Sequence, residues 1–231
     1  NLARLLSALQ GMIATTSGQR LRVHLLAAAE IVSAGAPTLR VVTDYPWDGH
    51  VAITVQPRQT AAFTLALRLP GWCTDPAISV NGTPVDIASV RRKGYAHLAR
   101  TWSPGDCVEL TLPMPVRRVR AHPSVRHDAG RVALQRGPVL YCLEEDDNGP
   151  DLAALSLPRR AAVRVDRRGS PFAGVPVLRA RGRRLATAGW DDALYRADEP
   201  APPTPAALTA VPYALWANRR PGEMALWIRE S

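Results

Sequence analysis

Phe63-Thr64-Leu65-Ala66-Leu67-Arg68-Leu69-Pro70-Gly71 sets an apolar residue at every second position and then stops on a Pro-Gly pair. A period of two is that of a strand with one face buried, and Pro-Gly is a turn. The same alternation stands before it, at Val51, Ile53 and Val55 and at Leu21, Val23 and Leu25. Shorter runs follow at 78–81, 95–100, 108–112, 116–120, 131–135, 139–143, 162–165 and 175–179. Between the runs lie turn signals: Asp48-Gly49, Asn81-Gly82, Pro104-Gly105-Asp106, Arg136-Gly137-Pro138 and Asn148-Gly149-Pro150. Strands this short and this closely spaced predict a mainly β chain of antiparallel sandwiches, not alternating β-α-β units.

The opening residues differ. Leu2, Leu5, Leu6, Leu9, Met12 and Ile13 recur at helical spacing, so the pattern predicts a helix over 1–17, with Asn1 as its cap and Ser17-Gly18 as its stop. Near the other end, 191–205 turns polar and proline-rich before 208–230 returns to apolar, aromatic sequence. The expected organisation is a helix over 1–18, one sandwich over 19–120, a second over 121–205 and a terminal hairpin over 206–231 that rejoins a sandwich. Pro113–Pro115 and Gly137-Pro138 are the candidate seams.

Composition excludes several classes. The chain has 231 residues, 46% of them apolar and 21% charged, the balance of an ordinary globular protein. No stretch approaches the roughly 20 uninterrupted apolar residues of a membrane span. The net charge of +9 raises the question of nucleic acid, but the basic residues are spread along the chain and all but Lys93 are arginine. The bland reading, an arginine bias from a GC-rich coding sequence, is favoured. Cys73, Cys107 and Cys142 are odd in number and match no CxxC spacing, so buried free thiols are expected in place of disulfides or a zinc site.

Candidate chemistry is thin. His24, His50, His97, His122 and His127 form no HExxH. His122 and His127 could converge on a metal across 123–126, but no third ligand stands nearby, and His24, at an outward strand position, fits a solvated or hydrogen-bonded role. The run Glu144-Glu145-Asp146-Asp147-Asn148 lacks the ligand spacing of a calcium loop, and a solvated turn is expected there. Asn81-Gly82-Thr83 is both a glycosylation sequon and a tight-turn signature, the turn being the stronger reading. Six tryptophans, at 47, 72, 102, 190, 216 and 227, are expected to be core for the most part, with one able to stack on a sugar.

An ordered string of motifs adds a resemblance. It runs through Tyr45-Pro46-Trp47-Asp48-Gly49, Leu67–Cys73, Val80-Asn81-Gly82, Gly94-Tyr95 and Arg100–Asp106. It continues through Leu112–Arg117, Gly130–Cys142, Pro212–Arg219 and Pro221-Gly222-Glu223-Met224. Together these resemble the C-terminal part of glycoside hydrolase family 127, the β-L-arabinofuranosidase-like family. The resemblance implies an N-terminal (α/α)6 barrel followed by two β-sandwich domains. It also implies a zinc ion held by cysteines and a glutamate in that barrel, with one cysteine as nucleophile in a Cys-Cys-Pro-Pro-Asn run. Asn1-Leu2-Ala3-Arg4 matches the position just after that run, so the first helix would be the last of the barrel. His24-Leu25 departs from the family in being followed by Leu26-Ala27-Ala28 where an aromatic is usual.

The resemblance carries no catalytic, cofactor-binding or metal residue onto this sequence; zinc belongs to the intact parent. The expected function is a non-catalytic sandwich region of a glycosidase, the alternative a free-standing carbohydrate-binding module. The expected partners are the parent's barrel and, through it, carbohydrate, with neither nucleic acid nor membrane and with a homodimer as a further expectation. The cytoplasm is the favoured compartment. A helix built to pack in a barrel should be loosely held when alone, so amide exchange is expected to be faster over 1–17 than in the strands; equal protection would contradict the barrel-helix reading.

Overall fold

The computed structural model describes residues 1–186, 190, 193–197 and 201–231. The chain divides between Met114 and Pro115 into two compact units.

The first unit opens with α1 (Leu2–Ile13), none of whose residues is buried. Strands β1 (Ala14–Ser17), β2 (Arg20–Val23), β3 (Ala29–Ile31), β4 (Thr38–Thr43), β5 (His50–Gln56) and β6 (Ala61–Arg68) follow. Then come β7 (Ala77–Val80), β8 (Thr83–Val85), the single turn α2 (Ile87–Val90), β9 (Arg91–Arg92), β10 (Tyr95–Trp102) and β11 (Asp106–Thr111). The helix ends at Ile13, the last of its apolar positions and four residues before the Ser17-Gly18 stop that bounds the expected helix. Residues 14–17 instead pair with β2, Ala14 opposite Val23 and Ser17 opposite Arg20. Thr15 and Thr16 are β-branched and suit a pleated surface, and Gly18 turns the hairpin with φ +56°.

These strands form two sheets, β1-β2-β6-β10-β9 and β3-β4-β5-β11-β7-β8. Every pairing is antiparallel except that of β2 with β6. The alternating residues of both sheets meet in one core: Leu21, Leu65, Leu67 and Leu98 from the first, and Val41, Ile53, Val55 and Leu110 from the second. Trp102 is fully buried there; its indole N–H donates to the Phe63 carbonyl at 3.1 Å and its ring stacks on Phe63. Strands β3 and β4 lie outside the runs read from the sequence, although β4 alternates buried Leu39 and Val41 with exposed Arg40 and Val42.

Two turns explain their motifs. At Gly49 an added Cβ would lie 1.9 Å from the Leu112 carbonyl oxygen, so only glycine lets the two segments close on the Leu112 N–H···Gly49 O bond of 2.8 Å. Asn81 and Gly82 both take positive φ, +51° and +77°, as a two-residue hairpin turn requires. The Asn81 carboxamide is used up locally, donating to Asp106 and accepting from the Cys107 N–H, each at 2.8 Å.

The second unit contains β12 (Val116–Val119), β13 (Arg131–Arg136), β14 (Val139–Glu144), the short helix α3 (Glu145–Asn148) and β15 (Leu155–Leu157). It continues with β16 (Val163–Asp166), β17 (Val177–Arg184), β18 (Thr204–Pro212), β19 (Met224–Ala225) and β20 (Ile228–Glu230). Strand β12 pairs with β13, so 116–119 belongs here and not with the residues up to 112. The pairings run β13-β20-β15-β17-β18-β14 and return through β14 to β13. A path that closes leaves those strands without free edges. The final stretch rejoins this sheet, but not as a hairpin: β18 lies between β17 and β14, and β20 between β13 and β15. β20, from the far end of the chain, fills the place between β13 and β15 and completes the ring.

Glu230 ties the closing strand down. Its side chain is 6% exposed and accepts from Arg118 at 3.1 Å and Arg120 at 2.6 Å, while Arg118 also donates to the Pro158 and Ala161 carbonyls. Burial opposes the carboxylate's charge, yet the hydrogen bonds from Arg120 and Arg118 outweigh it and hold its pKa below the ordinary glutamate value. A lowered carboxyl contributes stability that is present above its unfolded pKa and is lost as pH falls through the folded one. Glu230→Gln is therefore expected to cost about 2 kcal/mol at neutral pH, and the gap in urea midpoint between variant and parent should close in acid.

Candidate functional site

Strand β14 ends in four consecutive carboxylates, Glu144 to Asp147, a charge density that water or cations must offset. The turn is not solvated as its composition suggested. The side chains of Glu144, Asp146 and Asp147 are 7%, 16% and 15% exposed. The missing signal was distant in sequence: Arg219 and Arg220 return across the strand end and neutralise the run.

The Arg219 guanidinium donates to both Glu144 and Asp147, the latter as a fork, and its face lies over the Phe172 ring with the centroid 5.2 Å away. Its hydrogen bond to Asp147, working against burial, holds the proton more tightly than on a free guanidinium. Arg220 donates to Asp146 at 2.6 Å. Backbone groups complete the lattice. Ala217 N–H donates to Glu144 at 2.9 Å, Glu223 N–H to Glu145 at 2.9 Å, and Leu152 N–H to the Glu223 carboxylate at 2.8 Å. Asn148 bridges to β18, donating to the Thr209 carbonyl and accepting from its N–H, both at 2.9 Å. The segment 213–223 is thus stitched to α3.

That stitched segment displays the two aromatic rings of Tyr213 and Trp216. They are 44% and 42% exposed, with planes 11° apart and centroids 6.2 Å apart. Trp102 is core, and Trp47, Trp72, Trp190 and Trp227 are half-buried, which leaves Trp216 as the exposed tryptophan. Nearly parallel rings on a rigid loop make a surface that can lie against the C–H face of a sugar ring.

The other candidates do not converge. His122 sits on an exposed loop with Nδ1 bonded to Ser124, and among the described residues no group of three or more His, Cys, Asp or Glu comes together as a metal site. His24 is hydrogen-bonded, at 2.8 Å to Thr15 and 2.7 Å to the Tyr95 hydroxyl. Cys73, Cys107 and Cys142 form no disulfide with one another. Burial, reinforced by Glu144, pushes Cys142 up to about 12, and burial then Glu109 raises Cys107, so neither offers a thiolate at neutral pH. The carboxylates of the acidic run are committed to arginines and amides, which suits a structural clamp better than proton transfer.

Removing Arg219 leaves these carboxylates facing one another. Arg219→Ala is expected to cost about 3 kcal/mol in urea unfolding and to open 213–223 to limited proteolysis, with Arg219→Lys restoring only part because an ammonium cannot fork.

The comparisons with known proteins agree with this architecture. Residues 20–114 match the model of the β-L-arabinofuranosidase GH127 middle domain, and residues 116–229 that of the glycoside hydrolase family 127 C-terminal domain. The non-reducing end β-L-arabinofuranosidase of Bifidobacterium longum subsp. longum is 36% identical over 99% of this chain, which spans 36% of that protein. The solved GH127 β-L-arabinofuranosidase of Geobacillus stearothermophilus T6 is 44% identical with a TM-score of 0.91, covering all of this chain and 37% of its own. A second solved structure, described as a family 127 β-arabinofuranosidase, is 27% identical with a TM-score of 0.85, over all of this chain and 38% of its own. The seam between the two matched domains coincides with the division at Met114, and the chain belongs to glycoside hydrolase family 127, carrying its middle and C-terminal domains.

Proposed function

We propose that this chain is the non-catalytic β region of a β-L-arabinofuranosidase-like hydrolase, whose reactive centre lies in the part of its relatives that the chain does not span. The observation that carries this reading is α1. Leu2, Leu5, Leu6, Leu9 and Met12 line up on a helix in which no residue is buried, with Leu2 at 70% and Leu6 at 58% exposure. An apolar stripe of that size needs a partner. In the proposed parent the partner is the preceding helical barrel.

The zinc that the family resemblance implies finds no fitting donor set among the described residues. Cys73 is buried in the core of the first unit, whereas Cys142 is buried with Val177 and Val211 in the second. No step through a metal is assigned to this chain. Its own contribution is to give the barrel's last helix a rigid base, since α1 runs directly into β1 at the edge of a sheet.

The Tyr213–Trp216 surface supports a second reading, a carbohydrate-binding module. Two measurements separate them. The purified 231-residue chain is expected to release no product from an aryl β-L-arabinofuranoside, with or without added zinc; zinc-dependent turnover would refute the non-catalytic reading. Binding of arabinan or short arabinosides that Trp216→Ala abolishes would establish the module instead.

A further inference from the structure

Six of the basic residues spread along the sequence gather in one sheet. The strands of the sheet β1-β2-β6-β10-β9 contain Arg20, Arg22, Arg68, Arg91, Arg92 and Arg100 and not one Asp or Glu. The facing sheet carries Glu30, Asp106 and Glu109. Alternation decides which arginines share the outer surface. Leu21, Val23, Leu65, Leu67, Ala96 and Leu98 point into the core, so Arg20, Arg22, Arg68, Tyr95 and His97 point away from it, and Arg92 stands opposite Tyr95.

An open groove of about 440 Å³ runs over this face, bounded by Arg20, Thr64, Ser89, Arg92, Lys93 and His97. No acidic side chain lines it. Asp86, just before α2, is engaged with the Ala88 amide at 3.0 Å. Among the described residues Arg20, Arg92 and Lys93 have no carboxylate partner. Like charges gathered on one sheet face are unfavourable unless something anionic covers them.

We propose that this groove binds a uronate-bearing polysaccharide. The carboxylates would pair with Arg20, Arg92 and Lys93, and sugar hydroxyls would meet Thr64, Ser89 and His97. The choice of a glycan rests on the family reading given above; the requirement for an anion does not.

Two other polyanions fit less well. Single-stranded nucleic acid is held by bases stacked on free aromatic faces. Here the Tyr95 hydroxyl is bonded to His24, the Arg68 guanidinium lies 5.7 Å from the ring centroid and His97 packs edge-on against it. A protein interface has an apolar core with charge at the rim; this groove is lined mainly by charged and polar side chains, with Val90 and Ala99 its apolar residues.

The test is calorimetric titration of the 231-residue chain with polygalacturonate oligomers, neutral arabinan, poly-L-glutamate and single-stranded DNA. The polyuronate should bind with an affinity that falls steeply with salt, and arabinan should not compete. Arg20→Ser and Arg92→Ser are each expected to weaken it about tenfold, the worth of a charge-assisted hydrogen bond. Arg40→Ser combined with Arg58→Ser, which removes charge from exposed positions outside this sheet, should leave binding unchanged. The proposal is overturned if that control weakens binding as much as the groove variants, if polyglutamate or DNA binds as tightly, or if no polyuronate binding is seen at low salt. Because binding is read without turnover, its failure leaves the hydrolase reading intact, and failure of the hydrolase reading shows separately in the activity assay.

Discussion

A strand with an apolar residue at every second position has one face that water rejects, and in the first unit two such faces can be hidden only against each other. This constraint organises the sandwich. Leu65 and Leu67 of one sheet require Ile53 and Val55 of the other, and the closeness of the two layers is why Trp102 must find a backbone carbonyl for its indole N–H. It also settles, without further choice, which residues are left outside. Once Leu21 and Val23 point inward, Arg20 and Arg22 cannot.

The second unit meets a different problem. Its strands close into a ring, so its edges are paired, but the ring is completed by a strand from the far end of the chain. Ion pairs are concentrated where such distant segments join: Glu230 with Arg118 and Arg120, and Arg219 with Glu144 and Asp147. Each brings a charge out of water, which is tolerable only because several donors converge on each carboxylate. Tyr213 and Trp216 are presented on the loop that this second cluster immobilises, so structural charge and exposed aromatic surface are parts of one arrangement.

Helix α1 connects the fold to the proposed function. It is amphipathic, yet no side chain of it is buried, and it continues into an edge strand of the arginine-bearing sheet. An apolar stripe and an acid-free basic face therefore adjoin on the same unit. They ask for different occupants, one hydrophobic and one anionic, which is why α1 is assigned to a barrel and the groove to a glycan.

Most of what can be read along the chain follows from local rules. Period two identified most strands, Asn81-Gly82 its turn, and the ordered motifs the family. The expected helix overran at 14–17, where the Ser17-Gly18 stop extended it past its apolar positions and β-branching with a hairpin partner prevailed. β4 was legible in the alternation of Leu39 and Val41 with Arg40 and Val42 but not read, and pairing with β3 and β5 fixes it as a strand. That Glu144 is buried and Asp146 and Asp147 are largely withdrawn from water depends on the folded chain, because their counter-charges stand more than seventy residues away. Strand pairing alone puts Arg20, Arg22, Arg68 and Arg92 on one face. Spacing along a chain records which side of its own strand a residue takes, whereas the neighbours it gains across a sheet depend on pairing between strands far apart in sequence.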